Sequence, residues 1–483
     1  MSAPLLAPTG DPATVAVTDG TTTLTYAELD QRTRALAAAL AAGGLRRGDR
    51  IATLAANSVD QVVLFHACVQ AGLALVPLSW RATPTELAVM LADAQPTLLA
   101  TDLDHQDVAA RTAALLDDPP TPTLLGRGGL EHQVPRVGPA APRTPAGPDD
   151  PVLLIFTSGS SGRPKGVPLS AGNCRATNRA LASRFPLTAA DTVLQVLPQF
   201  HVGGWNVQPL LAWSVGARVL VVPSFDTGHV LDLLESERVT AMMGVPTTYE
   251  MLAAHPGFAD RDLSALRAAV VGGAPVDEAL GRAWSRHGVR LWAGYGLTEA
   301  GPNVLCEPAT AAPTSWLVPY DGVSVRLDDA GQVLVRGGGV FAGYWRNDAA
   351  SRAAFVDGWL ATGDVAEERD GSYRLRGRSS EKYISGGENV HPAEVEHALR
   401  LLDGVAEAAV VGVPDERWGE AGVAFVVPAP GHDLDATRLR HDVRAHLAGF
   451  KVPREVVVVA ALPQTGTGKI DKRSLHQQAK EQG

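Results

Sequence analysis

Apolar residues follow two patterns along the chain: in some stretches they recur every three or four positions, and in others they form short continuous runs. The first pattern predicts helices and the second predicts strands. In residues 26–42, apolar side chains recur every three or four positions within an alanine-rich stretch, which predicts an amphipathic helix. Residues 50–54 form a short apolar run, residues 60–70 again show helical spacing, and residues 73–78 form the next apolar run. A strand, a helix and a second strand at these separations predict a parallel sheet.

The same alternation continues through the middle of the chain. The stretch 126–150 is rich in glycine, proline and alanine and has little periodicity, so we expect a surface connection there. Short β-rich runs separated by helical patterns follow at residues 152–156, 193–197, 218–222, 241–245 and 268–271. A succession of strand and helix units predicts a doubly wound α/β architecture.

The pattern changes after Ser315. Short alternating runs separated by turns, for example at residues 328–331 and 369–371, predict an antiparallel, barrel-like β layer. From Pro392, helix and strand patterns alternate again, with a helix expected over 437–447, and these roughly 100 residues are enough for a small α+β domain. The sequence therefore predicts an α/β protein with a large N-terminal domain of doubly wound sheets, a barrel-like layer and a small α+β C-terminal domain.

Composition and charge restrict the possible partners. The chain has 483 residues, 45% of them hydrophobic, and a formal net charge of -10 with a pI near 5.7. A surface for nucleic acid or an anionic membrane needs a clustered basic face, so this balance argues against both. No apolar run reaches the roughly 18 residues of a membrane span. A small acidic substrate must therefore be attracted by local charges.

The three cysteines, Cys68, Cys174 and Cys306, are widely spaced and show no metal-binding or redox pattern. Such residues are most often buried, inert thiols, and they suit a reducing compartment. The N-terminal segment has neither the basic region nor the apolar region of a signal peptide. We therefore expect a cytoplasmic protein.

Two glycine-rich loops contain a lysine, although only six of the 42 basic residues are lysines. The first loop, residues 157–167 (TSGSSGRPKGV), follows a predicted strand, and its hydroxyl and backbone N–H groups can surround an anion while Lys165 adds charge. Because Gly166 follows this lysine, the magnesium-binding hydroxyl of a Walker loop is missing. The second loop, residues 463–472, contains Lys469. We expect both loops to contact phosphate.

A third segment, residues 294–299 (GYGLTE), places an aromatic ring, a hydroxyl and a carboxylate close together after an apolar run. These groups can stack on a base, contact a phosphate and hold a magnesium ion. Alone, the segment is equally compatible with a glycine turn followed by a helix whose N-cap is Thr298.

Together, these loops resemble the adenylate-forming family of acyl- and aryl-CoA synthetases, and the resemblance extends over nearly the whole chain. Six segments carry it in the family's order: residues 24–29 (LTYAEL), 157–167, 295–299 (YGLTE), 362–364 (TGD), 377–392 (GRSSEKYISGGENVHP) and 466–469 (GTGK). The resemblance implies that ATP activates a carboxylic acid as an acyl-adenylate, from which the thiol of coenzyme A displaces AMP. A carboxylate is a poor electrophile and must first gain a leaving group.

The resemblance also implies roles in ATP binding for individual residues. Thr298 would contact the α-phosphate, and Glu299 would hold Mg²⁺. Asp364 and Arg378 would bind the ribose hydroxyls. Lys469 would bridge the substrate carboxylate and the α-phosphate, where negative charge accumulates in the transition state. The β- and γ-phosphates would contact Thr157, Ser158, Gly159, Ser160, Ser161, Gly162 and Lys165, and the adenine would contact Gly272, Gly273, Ala274, Pro275, Tyr295 and Gly296.

In such enzymes a small domain rotates between two half-reactions. We expect an N-terminal domain over 1–377, a hinge over 378–380 and a mobile C-terminal domain over 381–483. The hinge departs from the family pattern because Ser380 stands where an aspartate or a lysine is usual, which puts the rate and balance of the rotation in question. The rotation would replace the face that carries Lys469 with one that carries Gly386, Gly387, Glu388 and Asn389.

For coenzyme A, the resemblance to benzoate-type ligases places Trp418 and Phe450 beside the nucleotide and Arg81 near its phosphates. His201 stands where acyl and aryl ligases have a histidine that gates the carboxylate pocket, whereas amino-acid-activating relatives have Phe-Asp. An amino-acid substrate is therefore not expected. Trp205 would shorten the pocket and favour an aromatic or medium-chain acid over a long fatty acid. The pocket residues would be His201, Val202, Trp205 and Gly294.

Other functions are compatible with the same motifs. The enzyme could load the acyl group onto an acyl carrier protein instead of CoA. A non-catalytic nucleotide sensor would keep the loops without turnover, and the irregular hinge is the feature that favours it. An ATPase or kinase would release ADP, whereas an adenylating enzyme releases AMP and pyrophosphate. Lys472 and Lys480 are expected to be ordinary solvated lysines.

Overall fold

The structure is a computed structural model that describes residues 6–126, 144–157, 164–272, 276, 278–309, 314–378, 381–385, 388–415, 418–447, 449–465 and 469–482. It divides into two compact units. The first contains Met1–Val325 and Val335–Leu360, and the second contains Arg326–Leu334 and Ala361–Gly483.

The elements are numbered in chain order. The strands are β1 Val15–Thr18, β2 Thr23–Thr25, β3 Arg50–Leu54, β4 Ala74–Leu78, β5 Leu98–Thr101, β6 Thr121–Leu124, β7 Pro151–Thr157, β8 Lys165–Ser170, β9 Thr192–Gln195, β10 Arg218–Val221, β11 Ala241–Gly244, β12 Ala268–Val271, β13 Leu291–Tyr295, β14 Leu305–Cys306, β15 Val318–Pro319, β16 Val323–Leu327, β17 Gln332–Gly337, β18 Phe355–Val356, β19 Trp359–Arg369, β20 Ser372–Arg378, β21 Tyr383–Ser385, β22 Glu388–Val390, β23 Val405–Asp415, β24 Gly419–Pro428 and β25 Glu455–Val458. The α-helices are α1 Tyr26–Ala42, α2 Val59–Ala71, α3 Pro84–Ala94, α4 Gln106–Ala113, α5 Ala171–Arg184, α6 Gly203–Asn206, α7 Pro209–Val215, α8 Thr227–Ser236, α9 Pro246–Ala254, α10 Glu278–Ser285, α11 Asp348–Ala354, α12 Pro392–Arg400, α13 Ala436–Asp442 and α14 Lys472–Gln482.

The first unit contains two largely parallel sheets. One has the strand order β6-β5-β3-β4-β7-β8, and the other has the order β15-β14-β13-β12-β11-β9-β10-β1-β2. In the second sheet the strands from β13 across to β1 are parallel. The carboxyl ends of parallel strands meet at one edge, which is where doubly wound folds usually bind ligands. The predicted α/β architecture is confirmed.

Helix α1 begins at the predicted residue because Thr25 caps it. The Thr25 hydroxyl accepts a bond from Glu28 N, and the Glu28 carboxylate accepts one from Thr25 N at 2.8 Å, which is a capping box. The Tyr26 hydroxyl donates to Ala217 O at 2.7 Å, next to the start of β10. The sequence motif at residues 24–29 therefore has a structural task, namely to join α1 to the second sheet.

The second unit contains the antiparallel β19–β20 hairpin and a sheet with the order β22-β21-β24-β23, to which β25 adds by parallel pairing with β24. Successive residues of β23 point to opposite faces of this sheet. Val410 belongs to the core that contains Leu399 of α12, and Val411 belongs to the core that contains Leu475 of α14. Helices therefore cover both faces, and the small α+β domain is confirmed.

The end of one helix differs from the sequence prediction. The helix expected over 437–447 ends at Asp442 and continues as the 3₁₀ turn Val443–Ala445, a common way for helices to end. The expected domain bounds, 1–377 and 381–483, stay predictions. The hinge at 378–380 also stays a prediction, and Ser380 lies outside the described residues.

No helix in the described part of the chain combines the length and the apolarity that crossing a membrane requires. The three cysteines are free and buried, as expected. Burial raises the pKa of the Cys174 thiol to about 12 and that of Cys306 to about 11. The thiols are therefore protonated and unreactive near neutral pH.

Candidate active site

A β-hairpin closes the first predicted phosphate loop. Strands β7 and β8 pair antiparallel, and Thr157 at the end of β7 is the register partner of Lys165 at the start of β8. This pairing fixes both ends of the loop and leaves Lys165 half-buried. Ser158, Gly159, Ser160, Ser161 and Gly162 lie outside the described residues, so their contacts with phosphate stay a prediction.

Tyr344, which the motif analysis missed, joins Lys165 to Glu299. Lys165 Nζ lies 4.9 Å from the centroid of the Tyr344 ring, and the Tyr344 hydroxyl donates to Glu299 Oε1 at 3.0 Å. The backbone supports this arrangement because Phe341 N donates to Glu299 O at 2.9 Å. The Tyr344 side chain therefore contacts both the Lys165 ammonium group and the Glu299 carboxylate. Tyr344 is 45 residues from Glu299 in the chain, so no local pattern indicated the contact.

The surroundings of Glu299 suit a magnesium ion that is shared with phosphate. Proteins usually hold Mg²⁺ with one or two carboxylates, while substrate phosphates and water complete its coordination. Glu299 is half-buried in the 3₁₀ turn Thr298–Ala300. Within the described ranges, no group of three or more His, Cys, Asp or Glu side chains could hold a metal ion by itself. The single Glu299 carboxylate fits a Mg²⁺ ion whose other ligands are phosphate oxygens and water.

Residues 294–299 form a strand end and a tight turn. Strand β13 ends at Tyr295, and Leu297 before the 3₁₀ turn makes no side-chain capping bond. The alternative in which Thr298 is the N-cap of a helix is therefore wrong. Gly296 is required by its surroundings, because a Cβ atom there would lie 1.8 Å from Pro302 O. This close approach fixes the backbone just before Thr298 and Glu299.

The described residues predicted to contact adenine follow two neighbouring strands. Val271 at the end of β12 is the register partner of Ala293 in β13, so Gly272, Gly294 and Tyr295 follow at the same edge of the sheet. A Cβ atom on Gly272 would lie 3.9 Å from Gly294 O, which shows that the two backbones are adjacent. Gly273, Ala274 and Pro275 lie outside the described residues.

A row of aromatic side chains connects Arg81 with His201. The Arg81 guanidinium carbon lies 5.0 Å from the centroid of the Trp80 ring, and the Trp80 and Phe200 ring centroids are 6.3 Å apart. The Phe200 and His201 centroids are 4.6 Å apart. Trp80 is 36% exposed, although it is a large apolar residue. The sequence analysis missed Trp80, whose only signal was its position beside Arg81.

Trp205 lies in the core of the first unit. It has no exposed surface, its indole N–H donates to Gln199 O at 2.6 Å, and its ring centroid is 4.9 Å from that of Phe65. Val202 is also buried. These contacts fix Trp205 firmly, whereas its predicted role in shortening an acyl pocket stays a prediction.

In the second unit, the two predicted ribose-binding residues contact each other. Asp364 of β19 and Arg378 of β20 are register partners, and Arg378 Nε lies 2.9 Å from Asp364 Oδ1. Gly363 N donates to Gln332 Oε1 at 3.1 Å, and Thr362 Oγ1 donates to Val333 O at 2.9 Å. The Asp364 carboxylate is therefore fixed in place, and Arg378 is held to β19 by an ion pair.

Lys469 is exposed at the end of the second glycine loop. Gln464 and Ile470 form an isolated β-bridge, and Thr465 N donates to Lys469 O at 2.7 Å. These contacts close the loop on both sides of residues 466–468, which lie outside the described residues. The backbone of Lys469 is thus held by the loop it terminates.

Lys472 is not the solvated lysine that the sequence predicted. Its Nζ lies 2.5 Å from Glu381 Oε2 and 2.8 Å from Glu396 Oε1. Burial lowers the pKa of Lys472, but the carboxylates of Glu396 and Glu381 outweigh this and raise it above its usual value. The residue was misread because both partners lie far from it in sequence. Lys480 is exposed, as expected.

The two aromatic residues predicted to contact CoA differ in exposure. Trp418 is 38% exposed beside β24, and its N donates to Asp415 Oδ1 at 2.9 Å. Phe450 lies in the 3₁₀ turn Gly449–Lys451 and packs against the core of the second unit. Trp418 is thus accessible for stacking, while a nucleotide contact of either ring stays a prediction. Gly386 and Gly387 lie outside the described residues.

Comparison with known families decides the class of this protein. Residues 7–345 match the AMP-binding enzyme family, and residues 394–469 match the AMP-binding enzyme C-terminal domain. The chain belongs to the AMP-binding enzyme family. This confirms the expected membership in the adenylate-forming acyl- and aryl-CoA synthetases. ATP, Mg²⁺ and coenzyme A, which the sequence predicted, are the cofactors of AMP-binding CoA ligases.

Individual relatives cover nearly the whole of this AMP-binding enzyme. It is 40% identical to a feruloyl-CoA synthase of Amycolatopsis sp over 95% of both chains. It is 38% identical to an indoleacetate–CoA ligase of Aromatoleum aromaticum over 94% of this chain and 93% of the relative. The solved structure of ATP-bound MatB from Rhodopseudomonas palustris matches with a TM-score of 0.90 at 32% identity, over 100% of this chain and 99% of that one.

Proposed function

We propose that this AMP-binding enzyme is an ATP-dependent acid–CoA ligase that acts on aromatic or medium-chain carboxylic acids. The observation that carries the proposal is the arrangement of Lys165, Tyr344 and Glu299 beside the β7–β8 loop. It provides a cation for phosphate oxygens and a carboxylate for magnesium. The similarity to a feruloyl-CoA synthase and an indoleacetate–CoA ligase supports an aromatic acid.

In the first half-reaction, a carboxylate oxygen of the acid attacks the α-phosphorus of ATP. The bond from this phosphorus to the oxygen that bridges to the β-phosphate breaks, and pyrophosphate leaves. Lys165 and the loop that begins at Thr157 bind the β- and γ-phosphates, and Thr298 binds the α-phosphate. Mg²⁺ held by Glu299 would supply charge to the phosphates. Lys469 stabilises the negative charge that gathers between the carboxylate and the α-phosphate.

The adenosine part of ATP needs separate recognition. Tyr295 and the backbone at Gly272 contact the adenine ring, and Asp364 accepts hydrogen bonds from the ribose hydroxyls. Asp364 is suited to this task because its ion pair with Arg378 holds the carboxylate in one orientation. A positioned acceptor loses little freedom when the nucleotide binds.

In the second half-reaction, the sulfur of coenzyme A attacks the acyl carbon of the adenylate. The bond from this carbon to the AMP oxygen breaks, AMP leaves with the electron pair, and the thiol proton passes to water. His201 gates the carboxylate end of the pocket, and Arg81, Trp418 and Phe450 contact the CoA nucleotide. Rotation about residues 378–380 changes the face of the second unit that serves the reaction, and Gly386 and Gly387 belong to the second face.

The proposal is tested by measuring acid-dependent pyrophosphate release from ATP and magnesium with aryl, short-, medium- and long-chain acids, each with and without CoA. We expect AMP and an acyl-CoA thioester with an aromatic or medium-chain acid. Release of ADP, or turnover of palmitate ahead of benzoate and octanoate, would contradict the proposal. Pyrophosphate without a thioester would instead identify a carrier protein as the acceptor. Silence with every acid would favour a nucleotide sensor.

A cytoplasmic location is part of the same proposal. Both cosubstrates, ATP and CoA, are supplied inside the cell. The three cysteines are buried free thiols, which is typical of proteins from reducing compartments.

A further inference from the structure

A small cavity lies in the first unit beside the carboxyl end of β9. Its volume is about 10 Å³, which is the room that one water molecule needs. Apolar side chains such as Leu197 and Met243 form most of its lining, and Gln195 and Gln208 are the two residues with polar side chains there. The cavity is therefore a small, mostly apolar space with two glutamine residues in its wall.

Both glutamine side chains donate a hydrogen bond through nitrogen, and neither accepts one through oxygen from a residue that the structure describes. Gln195 and Gln208 are 3% and 2% exposed. The Gln195 Nε2 group donates to Leu197 O at 3.4 Å, and the Gln208 Nε2 group donates to Ala268 O at 3.2 Å. These bonds set the orientation of both amides, and Oε1 of each residue is left without a hydrogen-bond partner among the described residues. Buried acceptors without partners are rare in proteins because they lose their hydration without compensation.

The position of the cavity connects it to the candidate active site. A Cβ atom on Gly272 would lie only 2.5 Å from Met243 Cε, so this cavity wall touches the backbone of the proposed adenine site. Gly203, which also lines the cavity, follows His201 by two residues and has no side chain to fill the space. A Cβ atom on Gly203 would lie 2.8 Å from Leu197 Cδ1.

We propose that this cavity is the far end of the acyl pocket and that Gln195 Oε1 and Gln208 Oε1 select acids with one small hydrogen-bond donor remote from the carboxylate. A hydroxyl can donate to one of these two acceptors and a primary amine can donate to both, and either group fits a space the size of one water molecule. A methoxy group offers no donor and needs more room. The inference rests on the proposed ligase function and narrows its substrate class to hydroxy- or amino-substituted aromatic acids.

The test compares kcat/KM for acid-dependent pyrophosphate release with matched aromatic acids that differ only in the ring position opposite the carboxylate chain. 4-Hydroxybenzoate, benzoate and 4-methoxybenzoate form one set, and the corresponding phenylpropenoic acids form a longer set. We expect the hydroxy acid to exceed both others by at least tenfold in one set, because sites built to bind a hydroxyl strongly reject analogues that lack it. Ratios within threefold in both sets would overturn the inference and would leave a bridging water as the occupant of the cavity.

Variants connect the preference to the two amides. Gln195→Met and Gln208→Met keep an unbranched side chain of similar length but remove the acceptor, so we expect each to reduce the hydroxy-to-unsubstituted ratio at least fivefold. The control is Gln106→Met, at an exposed position in α4 outside the cavity, which should keep the wild-type ratio. A ratio unchanged in both folded cavity variants would overturn the assignment. Thermal unfolding shows whether each variant folds, and if neither does, the wild-type ratios decide.

The two proposals fail in different ways. Wild-type enzyme that makes acyl-adenylates from several acids without regard to the hydroxyl would overturn this inference alone. Enzyme that releases no pyrophosphate with any acid would overturn the ligase proposal and, with it, the inference that depends on it.

Discussion

The Tyr344 side chain makes two separable contacts at the proposed phosphate site. Its hydroxyl bonds to Glu299, and its ring faces Lys165. A hydrogen bond to a charged group contributes about 1.5–3 kcal/mol, so Tyr344→Phe should lower kcat/KM for MgATP by about tenfold or more. Tyr344→Leu also removes the aromatic face and should cost a further ~1 kcal/mol. The measurement is ATP–pyrophosphate exchange, and equal rates in wild type and both variants would refute the role of Tyr344.

His66 is buried between the rings of Phe65 and Trp213. Burial lowers its pKa from 6.5 to about 3, although a bond with the backbone of Leu6 opposes the shift. The unfolded chain therefore takes up a proton below pH 6.5 that the folded protein does not bind, so stability falls as the pH decreases towards 3. The loss attributable to His66 is about 2 kcal/mol at pH ~5.

Urea denaturation at pH values between about 7 and 5 measures this loss. His66→Phe keeps an aromatic ring and removes the titrating group, so its free energy of unfolding should depend less steeply on pH than that of wild type. His229→Gln, at an exposed position in the same unit, is the control and should follow wild type. A slope that is identical in His66→Phe and wild type would show that other groups cause the acid sensitivity.

Local sequence rules predicted helices and strands best where one short segment contains all the residues that determine the element. Helix α1 was predicted to the residue because its periodicity and its capping box at Thr25 agree. The strands that were predicted in the parallel sheets, such as β3, β9 and β12, agree with the structure within two residues because they are short apolar runs between turns, whereas β1, β5 and β6 were not predicted. The end of α13 was missed because the change to a 3₁₀ turn at Val443 depends on packing around the helix rather than on a local stop signal.

The turn before Glu299 depends on the absence of a side chain at Gly296. Gly296→Ala would bring a Cβ atom against the backbone at Pro302, where no flexible side chain can move aside. We expect a loss of more than about 2 kcal/mol in stability and about 100-fold or more in pyrophosphate exchange, because the turn positions Thr298 and Glu299.

Gly281→Ala is the matched control for this substitution. Gly281 lies in α10, and a Cβ atom there would meet nothing within 4 Å. Because alanine favours helix more than glycine does, this variant should gain about 0.5–1 kcal/mol and keep its activity. Similar behaviour of the two variants in denaturation and exchange assays would show that the close approach at Gly296 does not matter.

At the scale of the whole molecule, the sequence predicted the fold class and the site motifs but not the side chains that support them. Lys165, Glu299 and Asp364 stand in short motifs that can be recognised locally. Tyr344, which donates to Glu299, and Gln332, which accepts from the N–H of Gly363 next to Asp364, are distant in sequence and become neighbours of these motifs only through tertiary packing. The buried oxygens of the cavity could not be predicted at all, because a missing hydrogen bond has no sequence pattern.

The division of labour between two half-reactions is the prediction that involves the complete chain. If Lys469 neutralises charge only during adenylation, Lys469→Ala should reduce acid-dependent pyrophosphate exchange by about 100-fold or more. The same variant should largely keep its ability to form a thioester from a preformed acyl-adenylate and CoA, because that step forms no bond to phosphorus. Lys480→Ala removes an exposed lysine from α14 and controls for the loss of one positive charge.

The proposal requires that Lys469→Ala lower pyrophosphate exchange and leave thioester formation largely unchanged. Loss of both half-reactions in folded Lys469→Ala would mean that one face of the second unit serves both steps. The predicted rotation about residues 378–380 would then not be needed. Retention of both would mean that the glycine loop closed by Gln464 and Ile470 is not catalytic. Selective loss of the first step is the one result that a rotating second unit requires, since only then does each half-reaction need a different set of residues.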